Sequence, residues 1–184
     1  MGWATEKLSM DKVFYLAYGS NLHPVRLSDN DRVPSAKLMG VIELYGYELA
    51  FHKLSTDGSG KCLLNKTDAD SDMVFAALYE FDGKDKAALD NAEGKGSGYE
   101  DEKMTVIFNG QDYDSFIYMA SSSHVDATLI PYTWYKNFVL AGACFHKLPV
   151  DYISNIESVP SKEDIKESRR LKNEKLLEQM LAYK

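Results

Sequence analysis

The order of its apolar segments most constrains the fold of this chain, because strand-like runs come first and helical segments come last. Runs rich in aromatic and β-branched residues predict strands at 13–18, 61–65, 73–81, 102–109 and 113–120. A longer apolar stretch, 37–53, predicts a bent strand or a hairpin, with Gly40 and Gly46 as bulge positions. Separate blocks of strands and helices are typical of an α+β domain. We therefore expect an α+β fold, with a curved, mostly antiparallel, barrel-like sheet flanked by helices.

Helical signals are few before residue 130 and dominate the end of the chain. Helices are predicted at 82–89 with Asp82 as the cap, from Pro131 to about Cys144, near 149–151, and within the charged segment 161–183. Residues 110–112 predict the turn of a hairpin between the last two strands. The imperfect apolar stripe of 161–183 predicts a surface helix.

The length of 184 residues is in the usual range for one domain. We expect a core domain at 1–157 with a short N-terminal extension, and a charged helical extension at 158–184 packed on the same domain. The sequence leaves open whether the C-terminal helix is a lid, a dimer contact or a solvated face. A homodimer also stays open.

The net charge of −7 disfavours a nucleic-acid partner, which needs a concentrated basic face. The two cysteines, Cys62 and Cys144, have mostly apolar neighbours, which favours buried thiols in a reducing compartment over a disulfide. The first twelve residues contain no apolar run, so we expect neither a signal peptide nor a membrane helix. These features predict a cytoplasmic protein.

Several apparent ligand motifs fail when their spacing is tested. The glycines of 94–98 are followed by a predicted strand where a dinucleotide site needs a helix, and 58–61 lacks the first glycine and the final Ser or Thr of a phosphate loop. The acidic run 68–72 lacks the glycine and closing glutamate of a calcium loop. The four histidines are dispersed, without zinc-site spacing. We therefore predict no metal and no cofactor.

One remaining feature is Tyr18-Gly19-Ser20-Asn21 at the end of the first predicted strand. Alone, Gly-Ser-Asn after a strand is typical of an ordinary turn, because Gly and Asn accept unusual dihedral angles. The same turn can also direct successive backbone N–H groups into one concavity, where they bind a carboxylate or an oxyanion.

The other feature is Glu93, which precedes glycines at 94, 96 and 98. A glutamate after a helix is usually a solvated surface residue. Glycines around it, however, allow close approach of the backbone to a ligand, and a partly desolvated glutamate can act as general acid and base in turn. Neither feature decides the function alone.

Together the two features resemble the γ-glutamylcyclotransferase family, in which a strand ends in YGSN and a later helix-loop carries the catalytic glutamate. The corresponding residues are Tyr18-Gly19-Ser20-Asn21 and Glu93-Gly94-Lys95-Gly96-Ser97-Gly98-Tyr99. The resemblance continues through Tyr135-Lys136, Gly142-Ala143 and Leu148-Pro149-Val150-Asp151-Tyr152, and covers about residues 13–157.

This resemblance implies an enzyme of glutathione metabolism that cleaves a small γ-glutamyl amide, releases 5-oxoproline and uses no cofactor. Glu93 would take a proton from the substrate's α-ammonium and pass it to the departing amine. The Gly19-Ser20-Asn21 backbone would bind the α-carboxylate, and Tyr18 would line the pocket. Tyr99 and Tyr135 are further candidates for the pocket wall, although a tyrosine in a strand or helix is often a core residue.

The identity of the substrate stays open at this stage. Some family members have an active-site tyrosine one position after Tyr99, where this chain has Glu100. A second carboxylate there would favour an amine or cationic leaving group. Other possibilities are a γ-glutamylamine, a γ-glutamyl group on a carrier protein, or a protein that binds a γ-glutamyl metabolite without catalysis.

Overall fold

The computed structural model of the protein describes residues 11–184, so most of the predicted N-terminal extension lies outside the described residues. The described part contains seven strands: β1 (Lys12–Ala17), β2 (Lys37–Tyr45), β3 (Tyr47–Leu54), β4 (Gly60–Lys66), β5 (Met73–Asp82), β6 (Tyr99–Phe108) and β7 (Gln111–Ala120). It also contains five α-helices: α1 (Pro24–Leu27), α2 (Lys86–Glu93), α3 (Thr133–Phe145), α4 (Val150–Ser158) and α5 (Glu167–Ala182).

Five of the strands form one sheet in the order β2-β5-β1-β7-β6, and β3 and β4 form a second, two-stranded sheet. The β1–β7 pair is parallel, and the other pairs are antiparallel. The predicted α+β class with a curved, mostly antiparallel sheet is therefore confirmed. β5 is buried along nearly its whole length, as its apolar sequence requires of a strand paired on both sides.

The stretch predicted as a bent strand or hairpin contains β2 and β3, but these two strands are not paired with each other. β2 pairs with β5, whereas β3 pairs with β4 in the other sheet. Gly46 joins them with a φ of +79°, so it is a turn residue and not a bulge. The predicted irregularity at Gly40 is present as a register shift between Leu38 and Gly40.

The hairpin of β6 and β7 has a shorter turn than the sequence predicted. Asn109 and Gly110 both have positive φ, +50° and +77°, as a two-residue type I′ turn requires. Gln111 and Asp112 therefore belong to β7 and pair with β6. β6 begins at Tyr99, three residues before the expected start.

The helix assigned to 82–89 was placed too early. Asp82 is the last residue of β5 and accepts a hydrogen bond from Lys12 Nζ at 2.8 Å, so its carboxylate does not cap a helix. A 3₁₀ turn at Gly83–Asp85 separates the strand from α2. This shift places Glu93 at the last position of α2.

The C-terminal helix α5 packs against α3 and covers part of the core. Met180 on α5 is 1% exposed, and Tyr183, just after the helix, packs against Phe145 and His23. α3 in turn lies close to the 3₁₀ turn that follows β1, because a Cβ on Gly142 would lie only 2.5 Å from Leu22 Cβ. Within residues 11–184, no helix is both long enough and apolar enough to cross a membrane.

Candidate active site

Glu93 is held in place by the glycine that follows it. Gly94 adopts a left-handed conformation with φ of +69°, which ends α2 directly after Glu93. The backbone N–H groups of Gly94 and Lys95 close the helix end on the carbonyl oxygens of Asn91 and Asp90, at 3.2 and 2.9 Å. The glycine-rich sequence thus fixes the point from which the Glu93 side chain projects.

The Tyr18-Gly19-Ser20-Asn21 segment forms the tight bend that follows β1. Ser20–Leu22 is a 3₁₀ turn, in which the N–H of Leu22 donates to the carbonyl of Gly19 at 3.0 Å. Among the described residues, the backbone N–H groups of Ser20 and Asn21 have no hydrogen-bond acceptor. A Cβ on Gly19 would lie 3.0 Å from Cys62 Cβ, so the absence of a side chain lets the bend approach β4 closely.

Glu93 is bound by one hydrogen bond from the bend and by a second from Arg32. Glu93 Oε1 accepts from Asn21 Nδ2 at 2.8 Å and from Arg32 Nη1 at 2.9 Å. Arg32 Nη1 also lies 3.3 Å from Asn21 Oδ1. The Glu93 side chain is 18% exposed, and no group within residues 11–184 donates to its Oε2. One carboxylate oxygen is therefore fixed while the other is available.

Tyrosine hydroxyl groups surround this carboxylate. Tyr18 donates to the carbonyl of Tyr118 at 2.7 Å, and Tyr99 donates to the carbonyl of Cys62. The hydroxyl of Tyr135 accepts from the N–H of Cys62 at 3.1 Å. Burial raises the pKa of Tyr18, Tyr99 and Tyr135 well above the ordinary value, so these hydroxyls stay neutral. They can orient a substrate but are poor bases.

All the candidate site residues predicted from the sequence meet at one small cavity of about 20 Å³, which we call the inner cavity. Its lining consists of Tyr15, Tyr18, Gly19, Ser20, Asn21, Cys62, Glu93, Tyr99, Tyr118 and Tyr135. This volume is enough for one water molecule or one carboxylate oxygen. The inner cavity therefore has room for one small group and not for a whole substrate.

A second cavity, which we call the outer chamber, adjoins the inner cavity and has a volume of about 180 Å³. The two cavities share Ser20, Glu93, Tyr99 and Tyr135. The remaining lining residues of the outer chamber are Arg26, Arg32, Lys53, Ser55, Lys61, Ala92 and Trp134. Glu93 thus lies at the boundary between the two spaces.

Sequence reasoning missed several residues of this site. Arg32 lies in the connection after α1, where nothing in its local sequence indicates that it would contact Glu93. Tyr15 and Tyr118 lie in continuous buried runs of β1 and β7, where a tyrosine looks like an ordinary core residue. Lys53 is a strand lysine, a residue type usually exposed, yet it is 5% exposed.

Glu100 does not line either cavity. It alternates with buried Tyr99 along β6 and is exposed on the other face of the strand. A direct contact between Glu100 and a leaving group is therefore not supported. The expectation of two buried thiols is half correct, because Cys62 is buried and Cys144 is exposed. Burial raises the pKa of Cys62 to about 12, which keeps its thiol protonated.

The comparisons with known proteins agree with one another on the fold. Residues 73–156 match the AIG2-like family. A solved structure described as a gamma-glutamyl cyclotransferase superimposes with a TM-score of 0.75 at 22% identity, covering 92% of this chain and 99% of that one. An uncharacterized protein from Homo sapiens gives a TM-score of 0.73 at 22% identity, over 91% of this chain and 98% of that one. The search of curated protein sequences finds no match.

The fold is that of a γ-glutamylcyclotransferase-like protein. The family match runs from β5 to α4 and includes Glu93, Tyr99 and Tyr135, whereas the bend at 18–21 lies before it. The resemblance to the γ-glutamylcyclotransferase family that the sequence motifs indicated is thereby confirmed.

Proposed function

We propose that the protein is a γ-glutamylcyclotransferase that releases 5-oxoproline from a γ-glutamyl amide, with Glu93 as general acid and base. The observation that carries this proposal is the position of Glu93. Its Oε1 is fixed by Asn21 and Arg32, while its Oε2 accepts no hydrogen bond from the described residues. The cavity beside it is lined by Ser20 and Asn21, whose backbone N–H groups have no acceptor within residues 11–184. A positioned carboxylate next to an anion site is what intramolecular aminolysis requires.

In this proposal the inner cavity receives the α-carboxylate of the substrate. The N–H groups of Ser20 and Asn21 would donate to it, and Gly19 would allow its close approach. The hydroxyl of Tyr18 is already bound to the carbonyl of Tyr118, so this tyrosine would act as a wall and not as a donor to substrate. Tyr99 and Tyr135 would border the reacting carbon from the other side.

Glu93 would then serve both proton transfers. Its free Oε2 takes a proton from the α-ammonium, and the neutral amine attacks the γ-carbonyl to close a five-membered ring. Glu93 passes this proton to the leaving nitrogen, and the C–N bond breaks. The extra proton on the new ring nitrogen then goes through Glu93 to the released amine, which departs as an ammonium ion. Because nucleophile and electrophile belong to one molecule, ring closure has a high effective molarity, equivalent to roughly 10⁵ M or more in well-oriented systems.

The division into 1–157 and 158–184, the cytoplasmic location and a homodimer stay proposals. A protein that binds γ-glutamyl metabolites without catalysis is the second candidate function, since fold alone does not establish chemistry. The free Oε2 of Glu93 favours catalysis over simple binding.

The test uses the wild-type protein and a matched pair of γ-glutamyl dipeptides, one with a free α-amine and one with that amine acetylated. We expect 5-oxoproline and the free amino acid in equal amounts from the first compound, and no product from the second. Release of glutamate instead would indicate hydrolysis. Tight binding of the free-amine compound without any product would support the non-catalytic alternative.

A further inference from the structure

The outer chamber is strongly basic in a chain whose net charge is −7. Four cationic side chains line it, those of Arg26, Arg32, Lys53 and Lys61, and Glu93 is the single acidic residue of its lining. Cations of this density near a partly enclosed space repel one another unless counter-charges are present. The cations that have no acidic partner within the protein are therefore the ones available to a ligand.

Two of the four cations are paired within the protein. Arg32 is bound to Glu93 at 2.9 Å, and Lys61 is bound to Asp57 at 2.9 Å. Arg26 and Lys53, by contrast, form no ion pair and no hydrogen bond with any residue of 11–184. Within residues 11–184, these two cations therefore have no directly bonded counter-ion.

Lys53 is held in the chamber by its surroundings. Its ammonium lies 4.3 Å from the centre of the Tyr99 ring, and a Cβ on Gly98 would lie 2.8 Å from its Cε. Burial lowers the pKa of Lys53, an effect that the Glu93 carboxylate opposes. The glycine at 98, which has a φ of +117°, is thus required both by its backbone conformation and by the space that Lys53 occupies.

Arg26 is in a similar position. Its Nε is buried without a partner, and its guanidinium lies 4.7 Å from the centre of the Phe138 ring. Burial and the neighbouring charge of Arg32 lower the pKa of Arg26 to about 9, so the group remains charged at neutral pH. An unpaired charge that is removed from water costs stability, which a protein tolerates where a ligand supplies the missing partner.

The α-carboxylate of a γ-glutamyl substrate cannot be that partner while it occupies the inner cavity. Glu93 lies where the two cavities meet, so a substrate whose α-carboxylate occupies the inner cavity would direct its leaving part into the outer chamber. We propose that the outer chamber, with Lys53 and Arg26 unpaired, selects an acidic leaving group, namely an amino acid or peptide whose released residue is glutamate or aspartate. This inference rests on the proposed function and specifies its substrate class.

The surroundings of the chamber offer room for an extended acidic leaving group. Arg26, Arg32 and Ala92 also line a larger groove between α2 and α5. On its far side α5 contributes Arg169, Lys172 and Lys175, although Asp29 and Asp31 also line this groove. The C-terminal helix would therefore border the path of a peptide-sized leaving group.

The test compares γ-glutamyl-glutamate with γ-glutamyl-glutamine, which is nearly the same size but has one negative charge fewer. We expect wild-type kcat/KM to be about tenfold or more higher for the glutamate compound, since hydrogen bonds to charged groups are among the stronger ones. Lys53→Met should reduce this ratio to within about threefold of unity. Lys66→Met, at an exposed position near the end of β4, is the matched control and should preserve it.

Binding of both dipeptides is measured by calorimetry as well, so that the inference is tested even without turnover. Equal kcat/KM and equal affinity of the wild type for the two compounds would overturn the inference, and so would a preference that survives in both Lys53→Met and Arg26→Gln. If the glutamate compound binds more tightly but no 5-oxoproline forms, the substrate class stands and the proposed function fails. If 5-oxoproline forms at equal kcat/KM from both compounds, the proposed function stands and the substrate class fails.

Discussion

The inner cavity and the outer chamber differ in how completely their side chains are paired. In the inner cavity the tyrosine hydroxyls bond to backbone groups or to neighbouring side chains, and Asn21 is fixed between Tyr15 and Glu93. In the outer chamber two cations have no partner among the described residues. Under the proposed function, the first region would bind the part that all γ-glutamyl substrates share, and the second would bind the leaving group, which varies.

Among the variants that retain Glu93, the largest expected effect comes from Gly19→Ala, which disrupts the inner cavity without altering any charge. A Cβ there would meet Cys62 Cβ at 3.0 Å and Tyr135 Oη at 3.6 Å, so the bend must move relative to Glu93. A displacement of about 1 Å in a positioned site can reduce the rate about a hundredfold. We expect that loss in kcat/KM for acidic and neutral leaving groups alike.

The control for this variant is Gly110→Ala, at the remote β6–β7 turn. A Cβ there would meet no neighbouring atom, so stability is lost only because alanine disfavours the positive φ of +77°. We expect about 1 kcal/mol of lost stability and unchanged kcat/KM. Normal activity in Gly19→Ala would show that the bend does not position the substrate.

Arg32→Gln tests the residue of the outer chamber that holds Glu93 at the boundary between the two regions. It removes the charged hydrogen bond to Glu93 Oε1 and leaves the one from Asn21. Because hydrogen bonds of charged groups contribute about 1.5–3 kcal/mol, we expect a fall in kcat of roughly tenfold to a hundredfold. Steady-state kinetics should show the loss in kcat more than in KM. An effect on KM alone would place Arg32 in substrate binding and not in the positioning of Glu93.

Lys53→Met should give the smallest effect, and an increase in stability. Removing a buried, unpaired charge should add about 1 kcal/mol, which raises Tm by roughly 2–4 °C for a chain of this length. Since the folded-state pKa of Lys53 is lower than the unfolded one, the unfolded state binds more protons between the two values. Wild-type stability should therefore rise with pH in that window below 10.5, and this rise should be smaller in the variant. A destabilised Lys53→Met would indicate that Lys53 has a structural role.

The two regions also differ in how well the sequence predicts them. Tyr18-Gly19-Ser20-Asn21 and Glu93 are found from local patterns, because each combines a strand or helix end with glycines that a bend requires. Arg32, Lys53 and Arg26 are not, since their positions depend on contacts between distant parts of the chain. Arg32 and Glu93 are separated by 61 residues in sequence.

The errors in secondary structure have the same origin. The apolar stretch that predicts strands at 37–53 is a local signal. The assignment of β2 and β3 to different sheets depends on their pairing with β5 and β4. Aspartate is a common helix-cap residue, yet Asp82 pairs with Lys12 of β1, and this pairing extends β5 through Asp82. Local chemistry thus predicts which segments form elements, and long-range pairing determines where they begin and what they face.

The central claim, that Glu93 shuttles the proton beside an anion-binding bend, is tested most directly by Glu93→Gln. The substitution keeps the size of the side chain and its ability to accept from Asn21 and Arg32, but removes the base. With γ-glutamyl-glutamate as substrate, we expect 5-oxoproline release to fall by about a thousandfold, within the range for general acid–base catalysis, while calorimetry shows retained binding. Turnover within about threefold of the wild type would contradict the account.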